Sequence, residues 1–433
     1  MGLGKGVEWP VNAGSKTKRK SEKKLRLTDV RKFNIDRIIS AFGRLSGRRF
    51  LPAFLRHMKK LNIGSMSGGN RLTLIVDGDE CFDRILNELR SAGKSINLET
   101  YIFSSDEIGW KVARILAKKA EKGVEVNVIY DSLGSLTTSP EIFLFLKNSG
   151  AEVLEYRPIS MSPWKKYWNF GQRDHRKILV IDGKKAFVGG VNIGSDYAGR
   201  SYNGGNWRDT HLLIEGPAAR DVQFIFLENW YRNGGDILDQ DSHFPVIRSM
   251  DDRIVMILGS RSRKKKRPIK ESYFSAIESA QEKIYITNAY FIPNAKLVRS
   301  LVRASQRGVD VRLLLPAKSD HPVVKYAGRY LYRKYLKHGI RVFEYMPSVL
   351  HAKTAVIDGI WSTVGSSNLD ELSFRKNLEI NAVVLDQKFG KELEGVFLAD
   401  LEKSREITLK TWHRRSLIIF IIEWFFHRFR NYM

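Results

Sequence analysis

The amino-acid sequence predicts an α/β protein made of two similar halves, each a mixed, mostly parallel sheet flanked by helices, packed with a shared site at their interface. Three echoes along the chain carry that expectation. Ala92–Phe103 resembles Ala280–Phe291, Gly123–Tyr130 resembles Gly308–Leu315, and a charged segment beginning at His175 returns at His351. Self-similarity at long period is the mark of a duplicated structural unit.

Each element follows from local pattern. Ala92–Phe103 and Ala280–Phe291 read as the end of a helix running into a strand, and a helical segment follows each. Gly123 and Gly308 then sit where a helix C-cap belongs, ahead of an apolar strand. Strand, helix, strand in that order is a βαβ unit, which argues for parallel pairing within a covered sheet. The first half is placed at 71–244 and the second at 245–403. A basic arm occupies 1–70, and a basic, aromatic tail occupies 404–433.

The chain of 433 residues is long enough for two cores, and its 43% apolar and 28% charged residues are ordinary for a globular protein. Its charge is not: 73 Lys and Arg against 47 Asp and Glu leave a formal +26. Such a field draws polyanions, either nucleic acid or an anionic lipid surface. Cys81 is the single cysteine, which excludes an intrachain disulfide and a cysteine-built zinc site. Met1–Lys20 lacks an apolar signal core, and no run reaches the ~18 apolar residues of a membrane span.

The opening sixty residues hold 17 Lys/Arg against 4 Asp/Glu. Phe33, Ile35, Ile38, Ile39, Phe42 and Leu45 recur at helical spacing, as do Leu51, Phe54, Leu55, Met58 and Leu61. Basic amphipathic helices of this kind either lie in a membrane interface or pack on the protein's own core. Arg261–Arg267 reads as a solvated loop. The tail's Leu417–Phe426, flanked by arginines, is too short to cross a bilayer of about 30 Å and suits its interface.

The chemistry sits in the doubled motif. His175-Arg-Lys177 leads through Asp182-Gly183 to Gly189-Gly190-Val-Asn192; His351-Ala-Lys353 leads through Asp358-Gly359 to Gly365-Ser366-Ser-Asn368. The marked spacings are identical, which a chance His-x-Lys would not show. On a strand, positions i and i+2 share a face, so each histidine and its lysine point together. Two imidazoles and two buried ammonium groups converging from two halves call for an anion between them, and a phosphodiester fits. The motif residues His175, Lys177, Asp182, His351, Lys353 and Asp358 are the catalytic candidates. Within that set the two aspartates have the opposite parity and open Asp-Gly turns, so they are expected to anchor hairpins without touching substrate. A two-residue turn would place Gly190 opposite His175 and Ser366 opposite His351, opening room for phosphate. Asn192 and Asn368 would then donate to its oxygens.

This doubled pattern resembles the signature of the phospholipase D superfamily. More narrowly, Asn288–Pro293, Val342–Tyr345, Gly365–Asp370 and Asn377–Glu379 resemble bacterial cardiolipin synthases of the phospholipase D type, over about Arg71 to Lys403. The resemblance implies phosphatidyl transfer through a phosphohistidine, with phosphatidylglycerol as a donor and a lipid or alcohol as acceptor. It makes His175 the nucleophile and His351 the acid, then base. It gives Asp209 and Glu379 as the carboxylates that orient the histidines, and it implies neither metal nor cofactor, the lysines taking that place. A peripheral position on the cytoplasmic face of the cell membrane is expected. Trp164–Trp168 and Phe170, mixed with lysines, suit a lipid headgroup interface or stacked bases. Hydrolysis of the same lipids, or a metal-independent nuclease on the same frame, are the alternatives, nucleic acid being disfavoured by the aromatic tail. Oligomeric state is not legible.

Overall fold

The computed structural model describes residues 50–61, 65–159, 172–236, 238–260 and 267–430. The arm's Phe33–Leu45 stripe, the Trp164–Phe170 segment and residues 261–266 of the basic run lie outside them.

The first half supplies β1 (Ser65–Ile75), β2 (Ser95–Thr100), β3 (Glu125–Asp131), β4 (Glu152–Tyr156), β5 (Ile178–Ile181), β6 (Lys185–Gly189) and β7 (His211–Glu215). The second supplies β8 (Arg253–Gly259), β9 (Lys283–Asn288), β10 (Asp310–Lys318), β11 (Arg341–Val349), β12 (Lys353–Ile357), β13 (Trp361–Gly365) and β14 (Ile380–Leu385), with β15 (Ser404–Ile407) added at its edge. The spatial order is β4-β3-β2-β5-β6-β7-β1, then β8-β14-β13-β12-β9-β10-β11-β15. Apart from β15, the second run is the first reversed, so the halves are related about the β1–β8 pairing.

Pairing within each half is mixed. The βαβ strands β2–β3–β4 and β9–β10–β11 are parallel, whereas the hairpins β5–β6–β7 and β12–β13–β14 are antiparallel, as are their junctions with β2, β9, β1 and β8. Mostly parallel therefore describes only the βαβ part; short Asp-Gly loops reverse the chain between β5 and β6 and between β12 and β13. β1 serves both halves: Ser65–Ser67 pair with β8 and Arg71–Ile75 with β7. A register break between them contains Gly69 at φ +84, a left-handed position where a side chain is strained.

The echoed glycines end their helices in the same way. Gly123 N–H donates to Ala120 O and Val124 N–H to Lys119 O; Gly308 and Val309 repeat this with Ser305 and Ala304. That is the Schellman pattern, with both glycines at left-handed φ.

Three cores hold the layers. The outer face of the first half packs under Gly78–Ser91, Glu107–Ala120 and Pro140–Asn148, around Phe82, Val112 and Val128. The outer face of the second packs under Pro268–Ser279 and Ala295–Gln306. Between the halves, Val180, Val188 and Leu212 share one core with Val356, Val364 and Ala382, joined by Phe226 and Phe397 from helices Pro217–Arg232 and Gln387–Glu402. The helix Phe50–Leu61 resolves one open question about the arm. Phe54, Leu55 and Met58 are buried in the second half's core, Phe54 lying edge-on to Trp361 at 6.3 Å. Those three side chains are committed to the protein itself.

Candidate active site

Each histidine precedes the first strand of its hairpin and is pinned by the other half. His175 N–H donates to Leu378 O and Leu378 N–H to Arg173 O, both at 2.9 Å. In the mirror position Arg208 N–H donates to Val349 O and His351 N–H to Arg208 O, both at 2.8 Å. Leu378 and Arg208 stand one residue before Glu379 and Asp209. The backbone bridge therefore delivers each acid to the histidine of the opposite half: Glu379 Oε2 lies 3.2 Å from His175 Nδ1, and Asp209 Oδ2 lies 2.6 Å from His351 Nδ1.

Nδ1 of His175 also lies 3.2 Å from the Ser366 carbonyl, which can only accept, so that nitrogen carries the proton. Nε2 is left unprotonated, with no hydrogen-bond partner among the described residues. Lys177 Nζ donates to His175 O at 2.7 Å and Lys353 Nζ donates to His351 O. Both ammonium groups are buried, as are both imidazoles. The four groups act on one another: Lys177, Lys353 and His351 all disfavour charge on His175.

Burial dominates the electrostatics. It drives His175 well below the usual imidazole range, with the two lysines adding to it. It brings Lys177 down to about 7 and Lys353 down to about 8, against the pull of Glu379 on the first and Asp209 on the second. His351 is lowered by burial and Lys353, while Asp209 works the other way. The acids diverge. Burial would raise Asp209, but the charge and hydrogen bond of His351, with Lys353, hold it at about 2. Burial pushes Glu379 up to about 8, against Lys177 and the hydroxyl of Ser366.

Asp182 and Asp358 lie at the far ends of β5 and β12 from the histidines. The carboxylate of Asp182 accepts the N–H groups of Gly93, Lys94 and Ser95, and that of Asp358 those of Gln281, Glu282 and Lys283. Each caps the entry to β2 or β9, a role that ties the hairpin to the βαβ unit.

The expected two-residue turn is corrected. Ile181 pairs with Lys185 and Ile357 with Trp361, so each loop holds three residues, with Asp182 and Gly183 both at positive φ. The register moves by one. Gly190 no longer opposes His175; a Cβ there would stand 2.1 Å from Asp209 Oδ1, so its smallness admits that carboxylate. Ser366 serves His175 of the other half and donates to Glu379 Oε2 at 2.5 Å. Asn192 is spent on the protein, accepting from Ile102 N–H and donating to Tyr197 Oη. Asn368 is buried, its Oδ1 without a partner among the described residues.

Sequence reasoning did not single out the aromatic walls. Tyr101 lies 5.0 Å from the His175 ring and beneath Lys177; Tyr197, Trp207 and Tyr290 lie 5.3, 5.7 and 6.3 Å from the His351 ring. Tyr101 and Tyr290 stand just past the carboxyl ends of β2 and β9, where α/β sheets gather ligands, and that position was the available signal.

Two half-sheets sharing one core, with histidine–lysine pairs meeting at their junction, make up the fold of the phospholipase D superfamily. The same fold is found in phosphatidylserine synthase from Haemophilus influenzae Rd KW20, with a TM-score of 0.65, 14% identity, and 87% of this chain and 98% of that chain covered. It is also found in polyphosphate kinase from Porphyromonas gingivalis, with a TM-score of 0.54, 14% identity, and coverage of 79% and 49%. The family described as "Cardiolipin synthase, PLD-like domain" matches residues 85–211 and 273–401. Cardiolipin synthase of Geobacillus sp. (strain WCH70) is 38% identical over 81% of this chain and 70% of its own length, and that of Staphylococcus aureus (strain Mu50 / ATCC 700699) is 37% identical over 83% and 72%. The chain belongs to this family, and is a phosphatidyltransferase of the phospholipase D superfamily.

Proposed function

We propose that the protein makes cardiolipin by moving a phosphatidyl group from phosphatidylglycerol to the hydroxyl of a second lipid, through a phosphohistidine on His175. One observation carries this reading: two imidazoles, each held at Nδ1 from the opposite half, present Nε2 atoms that have no hydrogen-bond partner among the described residues, with two buried lysines acting on them. In the first step His175 Nε2 attacks phosphorus, the P–O bond to glycerol breaks, and His351 gives that oxygen its proton. In the second, His351 takes the proton of the acceptor hydroxyl, whose oxygen displaces His175. Lys177 and Lys353 offset charge on the non-bridging oxygens as it redistributes.

The unequal acids support these roles. A nucleophile must be neutral, and His175 is kept neutral by burial beside a carboxyl that itself favours its protonated form. A proton carrier gains from an ionised partner, which Asp209 provides. Names of the relatives point to the lipid substrate. We place the protein peripherally on the cytoplasmic face of the cell membrane, a reading supported by its basic charge and its basic, aromatic tail. Among the described residues no helix is long and apolar enough to cross a membrane.

Purified protein with phosphatidylglycerol vesicles in EDTA should give cardiolipin and glycerol in equal amounts. Acid-labile, alkali-stable label on the protein should follow brief exposure to labelled donor. Phosphatidic acid as the sole product would replace transfer with hydrolysis, and cleavage of DNA without lipid turnover would overturn the reading.

A further inference from the structure

The helix Leu417–Arg428 is docked the wrong way round for a protein surface. An amphipathic helix ordinarily buries its apolar stripe and shows charge to water. Here Glu423 is fully buried, accepting from Arg329 Nε at 3.1 Å and Arg415 Nε at 3.2 Å. One turn on, His427 Nδ1 sits 3.0 Å from Ala327 O and its ring stacks on Tyr330 at 4.5 Å. The opposite face presents Leu417, Ile418, Ile421, Trp424, Phe425 and Phe429, each between 47 and 71% exposed. Glu423 and His427 anchor the docked side, where Ile419, Ile422 and Phe426 are half-buried, and the exposed apolar side chains face outward.

The clamp is tied into the catalytic body. Arg329 also pairs with Glu344 of β11, which accepts from Arg405 at 2.8 Å. Removing one partner from such a buried cluster is costly, whereas an outward apolar face gains nothing from water.

Charge says what covers that face. Glu423 is the only acidic residue from Leu409 to Arg430, and it points inward. Lys410, Arg414 and Arg428 are exposed around it. Trp and Phe rimmed by cations match the interface of an anionic bilayer. A second copy of a +26 chain would bring like charge against like.

Position says why it is there. The helix rests on Pro322–Arg329, which begins directly after Asp320 and His321. Asp320 accepts from Tyr290 Oη at 2.5 Å, and its charge is felt by His351; the His321 ring is 5.5 Å from Tyr290. The element bearing the apolar helix starts beside Tyr290, which flanks His351 of the site.

We propose that Leu417–Arg428 seats the protein on an anionic membrane surface, and that the Arg329–Glu423–Arg415 clamp fixes the angle at which the site meets lipid headgroups. The inference draws on the lipid substrate for its purpose, but docking is read without turnover.

The test is co-sedimentation of the full chain with vesicles of mixed phosphatidylglycerol and phosphatidylcholine. The variant I421S/W424S/F425S should fold by circular dichroism and lower the bound-to-free ratio by about ten-fold or more, since three interfacial anchors are gone. Its turnover of short-chain phosphatidylglycerol below the micellar concentration should match the parent. Sedimentation equal to the parent's would overturn the proposal. So would loss of a dimer with vesicle binding intact, which would make the face a self-association surface. Should the triple variant misfold, brominated-lipid quenching of the parent against W424F decides: a quenched Trp424 component supports docking, and an unquenched one refutes it. Docking without any lipid turnover would leave this inference standing and remove the transferase reading alone.

Discussion

The two histidine–carboxylate pairs share one backbone plan and differ in proton affinity. His351 meets Asp209 at 2.6 Å, and the remaining Asp209 oxygen accepts from Thr210 N–H at 2.7 Å, so the carboxylate is fully engaged and ionised. His175 meets Glu379 at 3.2 Å, on an oxygen shared with the Ser366 hydroxyl, and burial pushes that carboxyl up to about 8. The difference traces to two substitutions between copies: one methylene in the acid, and serine for glycine at the position beside it. Duplicated sequence thus keeps geometry while small changes divide the chemistry, one imidazole held neutral and the other backed by a fixed charge.

That contrast is open to direct attack. The largest effect should come from His175→Asn and His351→Asn, each lowering turnover on the order of ten-thousand-fold or more. If only His351→Asn still accumulates labelled protein, the division of roles is sharpened; if only His175→Asn does, it is reversed. Next come the acids. Asp209→Asn removes a charge and should cost on the order of a thousand-fold in kcat. Glu379→Gln imitates a protonated carboxyl and should cost only about ten-fold, because one acceptor and one donor remain. Equal losses would break the comparison.

Lys177→Met should abolish useful turnover yet raise the melting temperature. The folded amine stays charged only up to about 7, against the ordinary lysine value of 10.5 unfolded. Its folded pKa is lowered, so the burial penalty is full below about pH 7 and fades as pH climbs toward the unfolded value. The gain in melting temperature should accordingly be larger at pH 6 than at pH 10, and scanning calorimetry at both would show it. The smallest catalytic effect is expected from Asp182→Asn. Losing charge at three amide contacts should cost about 1–3 kcal/mol of stability, with turnover per folded molecule within a few-fold of the parent. Denaturant titration beside a lipid assay separates the two.

The α/β class and the family were legible because a duplicated motif is a long-range statement carried by local residues. His175 and His351, with their lysines, announce themselves by identical spacing. Pairing across the halves was not legible, since nothing within Trp207–His211 or Asn377–Glu379 says which histidine the acid will meet; that follows from bridges between segments some 140 to 200 residues apart. The hairpin register failed for a local reason. Asp-Gly promises a two-residue turn, but Asp182 turned its carboxylate to cap β2, and the chain took a third loop residue. The stripe Phe54–Met58 was ambiguous because periodicity shows that one face is apolar without showing what it touches; Trp361 supplied the answer.

The crossed bridges at Leu378 and Arg208 also determine what a fragment can be. A polypeptide cut between β7 and β8 would yield two pieces, each with an imidazole lacking its acidic partner and a carboxyl group lacking its imidazole. Neither piece is a weaker enzyme; each is an incomplete one, and complementation in trans would succeed only where both bridges re-form together. For the same reason, grafting one half from a relative exchanges two partnerships at once.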